Sequence, residues 1–257
     1  MKVLNWLGIE LVEVSRAEKL VSAIGSAVAI FCVFCIMSYS LPAAAAVGVI
    51  ASMGATAVLL YAVPHGPLSQ PWPLIGGHTI SAVIGVCCAR SISSPALATA
   101  IAVGLAIGVM YQLKCIHPPG GATAFTAVMG GQAVHELGFY FVLYPVLLNA
   151  VAMLLLAMAI NYPFAWRRYP AFLILRADND RPDNETVPDE MHENVLDAIR
   201  SLDSFVDVSE QDLLYLIRTI AKNVETNGNG KHTVQCRDAS DRWLVPVKDE
   251  TDSQPHM

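Results

Sequence analysis

The chain has 257 residues, 54% of them hydrophobic, with 22 acidic against 16 basic residues and a formal net charge of −6. The charges are segregated: from Leu20 to Tyr162 only Arg90, Lys114 and Glu136 are charged. A soluble core of that length would not stay so free of charge. The acidic balance gives no electrostatic footprint for nucleic acid, so no nucleic-acid partner is expected.

Residues 1–18 place Val3, Leu4, Leu7, Leu11 and Val14 at helical spacing, opposite Lys2, Glu10 and Glu13. That pattern predicts an amphipathic helix lying in the membrane interface, with Trp6 at headgroup depth. Acidic residues interrupt the segment and the apolar run behind it is long enough to span. It is therefore expected to be retained rather than cleaved as a signal.

A transmembrane domain is predicted over residues 19–164. Four segments within it, near 20–40, 43–63, 95–113 and 139–161, lack Asp, Glu, Lys and Arg. Each has roughly the 20 residues that a helix needs to cross a bilayer. Cys32 and Cys35 fall inside the first span, where small packing residues are the expected reading, and Cys87 and Cys88 point to different helix faces. No disulfide framework, metal cluster or cofactor is expected.

Between the second and third spans, Pro64, Pro67, Pro71 and Pro73 precede Gly76 and Gly77, and a short apolar run then continues to Arg90. Prolines lack amide donors and forbid a continuous helix interior, so a helix of about thirteen residues is predicted, too short for a comfortable crossing. The device recurs after the third span, where Pro118 and Pro119 precede Gly120 and Gly121 and an apolar run ends at Gly130 and Gly131. GGHTISAVIG and GGATAFTAVMG form a weak internal repeat.

The expected fold is an all-α, polytopic transmembrane helix bundle with four full spans and two short re-entrant helices, the two repeat units running opposite to each other. An even number of crossings puts Lys2, Arg16 and Lys19 on the same side as Arg167, Arg168 and Arg176, which the positive-inside bias makes cytoplasmic. With re-entrant segments Arg90 joins that side and Lys114 faces out; six full crossings trade their places. Gly104 and Gly108 form G-x-x-x-G on the third span, and both packing within the chain and a homo-oligomer contact stand as readings.

Residues 165–257 carry 18 acidic and 11 basic residues and read as an acidic cytosolic tail. Residues 189–203 and 209–225 suit two amphipathic helices, the second with Ser209 as N-cap and Asp212 three positions on. A short hairpin around Asp238 to Asp241 is also expected.

Irregular backbone survives at membrane depth only where protein buries it or where it lines a watery cavity. Two such breaks in matching positions therefore point to a transport site. Short helices starting at Gly76, Gly77 and His78 and at Gly120, Gly121 and Ala122 would offer amide hydrogens to a small anion, with glycines letting it approach the backbone. Ser69, Gln70, Thr79, Ser81, His117, Thr123 and His65 add hydrogen-bond donors, and no carboxylate accompanies them. A bland alternative is that His78 and His117 merely tie down broken backbone.

His117-Pro118-Pro119-Gly120-Gly121-Ala122-Thr123-Ala124 resembles the signature of the HPP family of membrane proteins. Ser69-Gln70-Pro71, Gly76-Gly77-His78 and Ser81-Ala82 resemble its second recurring block, with Gly120 where the family usually has Ala. The resemblance covers about residues 15 to 165. It implies a four-span membrane protein, and it implies nitrite as cargo, because chloroplast and cyanobacterial members are implicated in nitrite transport. The expectation is thus a transporter of a small inorganic anion, nitrite foremost, in a bacterial inner (plasma) membrane with both termini cytoplasmic. The alternatives are a passive channel for small neutral or anionic solutes and a membrane-embedded metal-dependent enzyme. Intramembrane carboxylates, an H-E-x-x-H motif and a serine-nucleophile motif are all lacking, so no enzyme is expected.

Overall fold

A computed structural model describes residues 15–39, 43–164, 167 and 169–171. The interfacial helix expected over residues 1–14 lies outside these residues. So do the expected tail helices and hairpin.

Every described element is helical. In chain order these are α1 (Arg16–Ser38), α2 (Ala43–Ala62), a 3-10 turn (Pro67–Ser69), α3 (Pro71–Ser91), α4 (Pro95–Gln112), α5 (Pro118–Met129) and α6 (Gln132–Leu137), then a π-helical turn (Val142–Leu147) leading into α7 (Leu148–Asn161). Four stretches are long and apolar enough to cross a membrane: Arg16–Ser38, Pro71–Ser91, Pro95–Gln112 and Val142–Asn161. α2, with 20 residues, spans about 30 Å at helical rise. The all-helical polytopic bundle expected from the sequence is what the chain forms. Its outer surface is apolar, with Leu20, Phe31 and Phe34 of α1 and Leu97 and Leu105 of α4 exposed.

α1 opens with Ser15 as its cap, whose hydroxyl accepts from the Glu18 amide at 3.1 Å. Residues 16–18, assigned above to the interfacial segment, thus form the first turn of a spanning helix. α3, α4 and α5 each open on a proline in the first turn, where an amide has no helical acceptor and a fixed φ is already helical.

This corrects the first predicted short helix. Pro71 and Pro73 start α3 rather than delay it, the Leu74 amide reaches the Gln70 carbonyl at 3.1 Å, and the helix runs unbroken through Gly76 and Gly77 for 21 residues. α5 does stay short, at 12 residues.

The relative direction of the two repeats is corrected as well. A Cβ on Gly77 would meet His117, one on Gly120 would meet Ser81 and the Gly77 carbonyl, and one on Gly85 would meet Ala124 and Ala127. Partners advance together along both chains, so α3 and α5 run parallel. The antiparallel α4 between them in sequence is the reason. Their approach is close because the crossing residues are small: a Cβ on Gly77 would stand 2.5 Å from that of His117, and one on Gly85 would stand 2.6 Å from that of Ala127.

Helix directions alternate, and both ends of the described bundle meet at one face. There Arg167, only 1% exposed, pairs with the Glu18 carboxylate. Its guanidinium also donates to Ser22 Oγ at 3.0 Å, to the Tyr61 carbonyl at 2.6 Å and to Asn161 Oδ1 at 3.2 Å. Arg167, read from sequence as a loop charge, is a buried clamp joining α1, α2 and α7. Trp72 donates from Nε1 to the Leu113 carbonyl at 3.0 Å, which brings the end of α4 and Lys114 to this same face. Arg90 lies at the other end, over the Phe139 ring at 5.9 Å. The re-entrant scheme had paired Arg90, not Lys114, with the terminal cluster.

Gly104 and Gly108 lie on the outside of α4, with nothing among the described residues within 4 Å of where a Cβ would stand. Packing within this bundle is therefore not their role.

Candidate functional site

Two histidines of the broken segments lie in the bundle core: His78, on α3, and His117, the N-cap of α5. Both are fully buried. Their rings stand 4.9 Å apart in an edge-on arrangement. The glycine crossing of α3 and α5 brings them together, since Gly77 lies directly against His117.

Between them stands Thr56 of α2, also fully buried. Its Oγ1 is 2.8 Å from His78 Nε2 and 3.1 Å from His117 Nε2. On the far side of each ring, His78 Nδ1 meets Thr123 Oγ1 at 2.7 Å, and His117 Nδ1 meets the Leu68 carbonyl at 2.9 Å. Three helices and one turn thus contribute to a single polar layer.

The direction of every bond in that layer follows from its end. A carbonyl only accepts, so Nδ1 of His117 carries the hydrogen, and in the neutral ring Nε2 is then an acceptor. The one hydroxyl hydrogen of Thr56 satisfies it, although the Ser52 carbonyl also lies at 3.1 Å. His78 must then donate from Nε2 to Thr56, and its Nδ1 accepts from Thr123, whose other acceptor, the Pro119 carbonyl, is at 3.4 Å. The opposite tautomer at His78 would leave two imidazole lone pairs competing for one hydrogen, at the cost of a buried unsatisfied acceptor.

The layer lies at a defined depth. His78 is seven residues inside α3 and Thr56 six residues before the end of α2, so both sit about 10 Å from the face that carries the 63–70 loop. That loop closes over the layer through Leu68. It is itself tied down: Ser69 Oγ donates to the Val63 carbonyl at 2.7 Å, and Gln70 Nε2 donates to the Gly66 carbonyl at 3.0 Å. The chain beyond α7 adds two bonds, from Tyr169 OH to the Ser69 carbonyl at 2.7 Å and from the Ala171 amide to Gln70 Oε1 at 3.1 Å. Burial, with Tyr61 nearby, raises the Tyr169 phenol well above its usual range, which keeps it a donor.

Of the residues nominated from sequence, the fold brings together Gly77, His78, Ser81, His117, Gly120 and Thr123. Ser81 packs against Gly120 and points its hydroxyl at Met110 Sδ, 3.9 Å away. Ser69 and Gln70 hold the covering loop. Gly76 packs on Cys115, Ala122 is exposed, and Gly121 has only Val103 near it. Thr79 has a buried hydroxyl oxygen with no hydrogen-bond partner among the described residues.

The amide mechanism is corrected. Gly76, Gly77 and His78 lie inside α3, where helical carbonyls take their amides. α5 begins with two prolines that have no amide to offer, and the Gly120 amide is bonded to the His117 carbonyl at 2.8 Å. Donors at this site are imidazoles and hydroxyls instead.

Thr56 is the residue that sequence reasoning missed. Its signal was Ser52 and Thr56, four residues apart, as hydroxyls in an otherwise apolar span.

A core of apolar helices with outward-facing aliphatics and a buried neutral polar layer defines a polytopic helical membrane protein. Residues 12–170 match the family described as HPP, transmembrane region, and the chain belongs to that family. Two transmembrane proteins of Dictyostelium discoideum are similar: one is 42% identical over 48% of this chain and 44% of its own length, the other 41% identical over 47% and 40%. The matched region therefore spans less than half of each relative. No solved structure matches.

Proposed function

We propose that the chain transports a small inorganic anion, nitrite foremost, and that the His78–Thr56–His117–Thr123 layer is the constriction through which the anion passes. One observation carries this: a cluster of two imidazoles and two hydroxyls, fully buried at membrane depth, with no carboxylate in its bonding network. Polar groups inside a membrane bundle are costly and generally mark a solute pathway. Hydroxyl and imidazole donors suit an oxyanion.

In the closed arrangement these donors bond to one another. An entering nitrite takes over the Thr56 and His78 hydrogens, which offsets part of its desolvation. Nitrite as the cargo is supported by the family resemblance in the two histidine blocks. The layer acts as a transport route, not as the centre of an enzyme.

The protein is placed in the inner or plasma membrane, with the face bearing Arg16, Lys19 and Lys114 cytoplasmic by the positive-inside bias. Both ends of the bundle then lie inside. The exposed Gly104–Gly108 face would meet lipid or a second copy of the chain.

The test is nitrite uptake into proteoliposomes holding the full chain. Accumulation above protein-free vesicles, reduced by competing small oxyanions, is expected. Uptake equal to that of empty vesicles removes the assignment.

A further inference from the structure

Granting that the layer is the passage proposed above, we infer that the segment following α7 is a latch on one mouth of that passage, with Tyr169 as its positioning residue. While Tyr169 and Ala171 hold the 63–70 loop, Leu68 stays over His117; when they let go, the layer opens to the face where α1 begins.

The inference rests on three consecutive residues of the loop. The Leu68 carbonyl lies 2.9 Å from His117 Nδ1, the Ser69 carbonyl accepts from the Tyr169 hydroxyl at 2.7 Å, and Gln70 Oε1 accepts from the Ala171 amide at 3.1 Å. One of the three contacts reaches the site and the next two come from the same short piece of chain. Both latch bonds run from an O–H or N–H to an oxygen that only accepts, so their direction is fixed.

The loop is built as a stiff cap. Gln70 Nε2 lies within 3.2 Å of the Pro64, His65 and Gly66 carbonyls. The Ser69 amide donates to the Gly66 carbonyl at 3.0 Å and the Gly66 amide to the Val63 carbonyl at 3.2 Å, while Pro64 and Pro67 fix two further φ angles. A cap cross-linked on itself in this way lifts or seats as one piece, and its seat is shared between the site and the latch.

The latch has its own anchor. Arg167, two residues before Tyr169, is buried, pairs with Glu18 and donates to the Tyr61 carbonyl at 2.6 Å. Asn161 Nδ2 donates to the Leu60 carbonyl at 3.3 Å. Carbonyls that the end of α2 leaves without helical partners are thus taken by α7 and by the segment after it. Fastening α7 to α2 needs nothing beyond Arg167. Tyr169 and Ala171 carry the segment on to the cap over the site.

Burial makes the Tyr169 bond a switch. Tyr169 and Ser69 are both fully buried, so breaking the bond in place leaves the Ser69 carbonyl an acceptor with neither donor nor water. That is costly, and lifting the cap to water relieves it. Leu68, the residue before Ser69, leaves His117 with it.

The test needs no cargo. Diethyl pyrocarbonate carbethoxylates exposed neutral imidazoles, and digestion of the treated full chain from lipid vesicles followed by mass spectrometry resolves each histidine. His135, exposed at the opposite face, is the reference for reagent. Tyr169→Phe keeps the ring and removes the hydroxyl. It should raise the rate of modification at His117 about tenfold, equivalent to about 1.4 kcal/mol, while His135 and the deeper His78 keep their wild-type rates. Ala171→Pro removes the other donor at the backbone and should act in the same direction.

An unchanged His117 rate in folded Tyr169→Phe protein overturns the latch. So does an equal rise at His78 and His117, which would mark a general loosening of the bundle. Nitrite uptake by the same vesicles separates the two proposals. Uptake with His117 labelling that neither variant changes would keep the cargo and remove the latch; uptake equal to that of empty vesicles would remove the cargo and leave the labelling to decide the latch alone.

Discussion

The bundle contains two buried polar clusters, and they are built in opposite ways. At the face where α1 begins and α7 ends, Arg167 is held by a carboxylate, a carbonyl, an amide and a hydroxyl. About 10 Å deeper, His78, Thr56, His117 and Thr123 hold one another with no formal charge. The clamp can adopt one arrangement, because a guanidinium only donates and never deprotonates. The layer can adopt two, because each imidazole and each hydroxyl both donates and accepts. Fixed charge makes an anchor and switchable neutral groups make a passage.

Variants of each cluster break the comparison if the two prove interchangeable. The largest expected effect is on the clamp: Arg167→Met leaves Glu18 without its buried partner and should cost about 3 kcal/mol of stability, read as a lowered unfolding midpoint in detergent. Nitrite uptake per folded molecule should stay near wild type. A variant that unfolds no earlier would show the clamp to be ornamental.

Gly77→Val is next. Its side chain would collide with the Cβ of His117, 2.5 Å from the Cβ position, and overpacking of this kind costs about 1–3 kcal/mol. Here stability and uptake should fall together, since the same crossing that packs α3 on α5 also sets the ring spacing. His78→Ala reverses the pattern of Arg167→Met, with uptake down about tenfold or more, equivalent to about 1.4 kcal/mol, and the midpoint moved far less. Smallest is Gly104→Ala with Gly108→Ala, which should change the midpoint by no more than about 0.5 kcal/mol in a monomeric preparation, because both glycines face open space.

The helical bundle was legible in the sequence because membrane spans declare themselves by length and by freedom from charge. Helix extent beside prolines was less so. The same Pro71 and Pro73 that forbid a helix interior are favoured in a first turn, and composition does not say which position they hold. The relative direction of α3 and α5 was misread because a repeat of ten residues carries no information about the helix between its copies.

At the site, His78, His117 and Thr123 could be named from the two broken segments, since both segments resemble blocks of one family. Thr56 could not, because a lone threonine in an apolar run usually bonds to the carbonyl four residues back, and the Ser52 carbonyl lies within reach at 3.1 Å. Only the tertiary meeting of three helices gives its hydroxyl two imidazoles. Arg167 was hidden for a similar reason: a basic residue after the last span reads as a surface charge until Glu18, Ser22, Tyr61 and Asn161 are seen around it.

The neutral layer as the route of the anion is tested most directly by nitrite accumulation in proteoliposomes carrying equal amounts of folded wild-type and His117→Ala protein. The wild type should accumulate nitrite above empty vesicles, and the variant should reach about one-tenth of that rate or less. Equal accumulation by the two proteins would contradict the account.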